Sequence, residues 1–109
     1  MQHKTFYRVT FVNQEKVYEI YARHVGQCEI FGFVAIEGFA FDETSSLVVD
    51  PGQEKLKSEF QGVKSTYVPM HSIVRIDAVE KEGVAKIMNL EGNIRNFPTP
   101  IYTKPSDLN

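Results

Sequence analysis

Apolar and polar residues alternate along the first quarter of the chain. In TFYRVTFV, residues 5–12, Tyr7, Val9 and Phe11 fall on one side of an extended ribbon, with Phe6, Arg8, Thr10 and Val12 on the other. Aromatic and β-branched residues at that period predict a strand. Asn13, Gln14 and Glu15 form a polar gap, after which KVYEIYARHV sets Tyr18, Ile20 and Ala22 opposite Glu19, Tyr21 and Arg23. The two runs read as a hairpin whose second strand ends at Gly26 and Gln27.

Residues 30–41, IFGFVAIEGFAF, are apolar on both faces and broken by Gly32 and Gly38. A helix competes for such a run, but two glycines and four phenylalanines favour one long strand, sharply bent at the glycines. SLVVD then leads into PGQEKLKSEFQG. Asp50 can cap the first turn, Pro51 suits the first helical position, Gln53 has capping-box spacing, Leu56 and Phe60 share a face, and Gly62 supplies a left-handed stop. These signals predict a helix of about three turns over residues 51–61.

In TYVPMHSIVRIDAV, Pro69 cannot donate to a sheet ladder and ends one strand, and Ile73 begins the next. Met70, His71 and Ser72 between them predict a tight corner, a single turn of tight helix. AKIMNLEGNIRNF reads as a last hairpin turning at Glu91, Gly92 and Asn93. Residues 98–109 carry Pro98, Pro100 and Pro105 and are expected to be an extended or mobile tail. Residues 1–97 make one β-rich domain. The expected fold is mainly β with one short helix: a small, strongly bent antiparallel sheet or partly open barrel of five to seven strands.

Length and composition sharpen this picture little. A chain of 109 residues can bury roughly 60–70% of its unfolded surface, enough for a single core without staples. Its 42% hydrophobic and 24% charged residues are ordinary for a globular domain. A formal charge of -2 and no basic run weigh against avid, nonspecific duplex binding. Cys28 is the single cysteine, so no internal disulfide and no multi-cysteine zinc site can form, and a reducing compartment fits best. No stretch has the length of a membrane helix or the apolar segment of a signal peptide, so the expected location is the cytoplasm.

The pattern GVKSTYVPMHSIVRIDAVEKEGVAKI, preceded by FYRVTF and LVVDPGQEKLKSEF, resembles a small bacterial family named as domain of unknown function 1820, over residues 6–87. That resemblance implies one compact unit and brings no site residues with it. A bent glycine-containing strand followed by strand, corner and strand is also similar in architecture to Sm-like barrels. The helix at residues 51–61, inside the sheet order, departs from that pattern, and no RNA-binding motif matches.

His71 admits two readings: a general base or RNA contact exposed on a turn, or a ring that pins the corner by bonding backbone. The second is preferred, because no partner motif accompanies it. Cys28 with His24 or His71 could form a nucleophile pair, but beside an apolar strand a lone cysteine more often packs as a small hydrophobe. His3, His24, His71 and Cys28 lack metal-ligand spacing, and no catalytic residue, metal or cofactor is assigned. Tyr21, Arg23 and His24, with His71, form the candidate nucleic-acid surface, where rings could stack unpaired bases. The preferred functional reading is a noncatalytic cytoplasmic module that binds a protein partner or itself. The alternative is an Sm-like protein binding single-stranded RNA; no small-molecule substrate is inferred.

Overall fold

The computed structural model describes residues 5–42 and 49–90. Along them run β1 (Phe6–Asn13), β2 (Lys16–Gln27), β3 (Phe33–Ala40), α1 (Pro51–Glu59), β4 (Ser65–Pro69), a 3-10 turn (Met70–Ser72), β5 (Ile73–Val79) and β6 (Lys86–Asn89). All six strands join one antiparallel sheet in the order β4-β3-β2-β1-β5, with β6 also on β2, and the sheet does not close. The protein is mainly β with one short helix, as the alternation predicts. The hairpin turn at Glu91–Asn93 and the proline-bearing tail lie outside the described residues.

The β1–β2 connection is tighter than its polar gap suggests. Asn13 pairs with Lys16, leaving Gln14 and Glu15 as a two-residue turn with φ of 53° and 64°. Both lie in the left-handed region required by a type I′ turn, whose twist matches that of the flanking strands. Tyr7, Val9 and Phe11 share a face, as predicted, and that face packs on the core opposite Ala22, Ile20 and Tyr18. The rings of Phe11 and Tyr18 stack with centroids 4.9 Å apart.

β2 is the axis of the sheet, and its far side is shared between two partners. Tyr21–Gln27 pair with β3, while Lys16–Glu19 pair with β6, which takes the place β3 vacates beyond Ala40. The long strand expected over residues 30–41 is therefore corrected to Phe33–Ala40. Ile30–Gly32 form a turn, closed by the Phe33 amide donating to the Ile30 carbonyl at 3.2 Å with Gly32 at φ 81°. Gly38, where a bend is expected, adopts a φ of 70°. Ile36 and Phe39, three apart, both pack on the core, which a strict period of two would forbid, so the alternation resets at that glycine.

Asp50 caps α1, its Oδ1 accepting from the Gln53 amide at 3.0 Å, and the helix ends at Glu59, two residues before the predicted limit. Gln53 does not complete the capping box with its side chain. Buried instead, its Nε2 donates to the Asp42 carbonyl at 2.9 Å and its Oε1 accepts from the Ala85 amide at 2.8 Å. One amide group thus joins the chain leaving β3 to the chain entering β6, where the sheet divides. Leu56, fully buried, carries α1 onto a core of Val9, Ile20, Ala22, Ile36, Val68 and Ala85.

Candidate interaction surface

β4 and β5 are consecutive in the chain yet lie at opposite ends of the strand order, linked by the predicted 3-10 corner. Among the described residues, no strand pairs the outer side of either. The ladder fixes what β4 presents there. The Met70 amide donates to the Gly32 carbonyl at 2.8 Å, in register with the pairs Phe33–Pro69, Val34–Val68 and Ala35–Tyr67. Because antiparallel pairs alternate, Val68 and Thr66 turn their peptide groups toward β3, and Ser65, Tyr67 and Pro69 turn theirs outward. Pro69 therefore lacks its donor on the outer side, at no cost to the sheet.

Apolar side chains accompany this open edge. Tyr67 is 46% exposed, Met70 60% and, in the turn hydrogen-bonded to the corner, Phe31 99%. Ile76 on β5 is also exposed. At the opposite end of β4 lies an open cleft of about 760 Å³ between β3 and α1, lined by Phe39, Phe41, Phe60 and Val63 together with Lys64 and the Lys57–Glu54 ion pair. The Phe39 and Phe60 rings stack there at 4.6 Å. A smaller cavity of about 130 Å³ lies where the Tyr18 hydroxyl donates to Glu59, 3.1 Å from its Oε2. Burial, with Glu59 beside it, raises the Tyr18 phenol above its ordinary value.

The candidate nucleic-acid residues are not gathered at one place. Tyr21 is 7% exposed; Gly83 crosses it so closely that a β-carbon there would stand 2.7 Å from the hydroxyl. Arg23 is exposed, with its guanidinium carbon 5.2 Å from the centre of the Phe6 ring. His24, also exposed, pairs across the sheet with Glu37, which accepts from the Ser65 hydroxyl at 2.7 Å. His71 is exposed on the 3-10 corner at the far end of β4 from Ser65. Cys28 sits at the other end of β2 from the core aromatics, its Sγ 3.6 Å from the Ile30 and Phe33 carbonyls. No group of three metal-ligating side chains gathers among the described residues.

A charged cluster that the linear pattern does not reveal lies on the face opposite the core. Arg8 sits across from Asp77 in the β1–β5 register, with Nη2 2.9 Å from Oδ2, and Arg75 Nε approaches the same oxygen at 3.0 Å. Hydrogen bonds from Arg8 and then Arg75 hold the Asp77 carboxyl below its usual range. Arg8 is raised in turn, by Asp77 first and then by Tyr21. Arg8 and Asp77 are 69 residues apart in sequence, so only the strand pairing brings them together.

Fold and surface define a class: a small open antiparallel β sheet with one packed helix, whose strands β4 and β5 have an outer side that no strand pairs among the described residues. Residues 5–99 match the family described as Domain of unknown function (DUF1820), and the chain belongs to that family. No curated protein and no solved structure matches it. No helix among the described residues is long and apolar enough to cross a membrane.

Proposed function

We propose that this protein is a noncatalytic, cytoplasmic interaction module that binds protein, itself included, through the edges of its sheet. The observation that carries the reading is the outward row of peptide groups on β4, flanked by exposed Tyr67 and Met70. An edge strand offers another chain a ready template for pairing, and apolar side chains beside it gain by burial. Light scattering over a concentration series tests self-association: mass should rise above that of one chain. A mass that stays at one chain up to the highest concentration removes it.

The second reading, single-stranded RNA, rests on exposed Arg23 and His24. Burial of Tyr21 leaves these two without the neighbouring ring that would stack a base, which favours the protein reading. Filter binding separates the two. RNA affinity that falls steeply with salt and is lost in Arg23→Ala supports the nucleic-acid reading, and flat traces remove it.

A further inference from the structure

The smaller cavity, beside the Tyr18–Glu59 hydrogen bond, adjoins the open edge of β4, and its chemistry selects what that edge accepts. We infer that the cavity receives the guanidinium end of an arginine carried by an extended partner segment paired with β4. The inference rests on the protein-binding reading above and names the side chain that the partner must supply.

Position comes first. Thr66, Tyr67, Val68 and Pro69, four successive residues, all line the cavity. Side chains of neighbouring strand residues point to opposite faces, so one cavity meets all four only where it abuts the edge of the strand. The inner edge is taken by β3, which leaves the outer one. From across the opening the cavity is lined by the end of β1, including Val12 and Asn13, which run on past the last β1–β5 pair at Phe11 and Ile73. A segment bonded antiparallel to the outward groups of Tyr67 sets its next residue on either side opposite Thr66 or Val68. Paired residues share a face, so that side chain points the same way as buried Val68, toward the cavity.

Charge and shape then choose the occupant. Glu59 is the charged group in the lining; among the described residues no lysine, arginine or histidine lines the cavity, and Glu59 makes no ion pair. Tyr18 donates to both of its carboxylate oxygens, at 3.2 and 3.1 Å, but a neutral phenol leaves the charge in place. Glu59 also ends α1, where the helix dipole is negative and adds to the carboxylate's field. Lys57, the basic residue of that last turn, pairs with Glu54 and lines the larger cleft. The stacked rings of Phe11 and Tyr18, with Phe60, supply the aromatic wall. A guanidinium is flat, stacks on such rings and bonds carboxylate and carbonyl oxygens together. At about 130 Å³ the space is well below the roughly 300–1,000 Å³ of a small-molecule pocket and suits the end of one side chain.

The test titrates the full chain, followed by its amide chemical shifts, with two blocked heptapeptides. Both alternate threonine and valine; one has arginine at its centre and the other glutamine. The arginine peptide should bind about tenfold more tightly, as a charge-assisted hydrogen bond warrants. Glu59→Gln, at an exposed position and still able to accept from Tyr18, should abolish that preference and leave the affinity of the glutamine peptide unchanged. Equal binding of the two peptides by the unsubstituted chain, or a preference that survives Glu59→Gln, overturns the arginine site while pairing at β4 stands. If neither peptide binds, pairing at β4 falls and the site with it.

Discussion

Gln53 spans the place where the sheet divides, and both ends of its amide are used inside the protein, on the Asp42 carbonyl and the Ala85 amide. Gln53→Ala strands both groups, each costing about 1–3 kcal/mol, so a loss of about 3 kcal/mol is expected in urea unfolding. Asp77 gives a pH signature. Its folded-state pKa is depressed by Arg8 and Arg75, so the stabilisation it brings is complete above the unfolded carboxylate value near 3.9. That stabilisation is lost as pH falls through the folded value. Asp77→Asn should therefore lower the urea midpoint at pH 7 and leave it nearly unchanged at the acid end, where the wild-type carboxyl is also neutral. Neither role can be read from the residues alone: Gln53 has the spacing of a capping box, and Arg8 has no acidic neighbour in sequence.

Among the elements, the β1–β2 hairpin is held in its turn by the strands more than by the turn residues. Gln14 and Glu15 both adopt positive φ, a conformation costing roughly 1–2 kcal/mol per residue for side chains that gain no local hydrogen bond. Replacing them by Asn and Gly, the pair suited to a type I′ turn, should raise stability by about 1 kcal/mol and the thermal midpoint by several degrees. Calorimetry on the double substitution checks this. Most elements were legible because their signals are local: the period of two in residues 6–12, the Asp50–Pro51 start of α1, and the stop at Pro69. The boundary of β3 was not. An apolar run cannot distinguish residues inside the sheet from Ile30 and Phe31, left exposed in a turn.

For the whole molecule, strand order controls what remains open. β4 and β5 follow one another in the chain but end on opposite edges, since β5 pairs with β1 and β4 with β3. A lysine in the outward row, Tyr67→Lys, should keep the mass at one chain across a concentration series in which the unsubstituted chain associates, since charge on an edge strand opposes pairing. Light scattering supplies the comparison, and circular dichroism checks that the fold is retained. By itself, the sequence determined most of the segments that become strands and helix and which residues share a face, because periodicity, caps and proline act between near neighbours. Pairings between residues 69 apart, the place of β6 beside β2 and the burial of Tyr21 beneath Gly83 were decided only in three dimensions. Burying a shared apolar face constrains which strands meet and in what register, and no local rule carries that information.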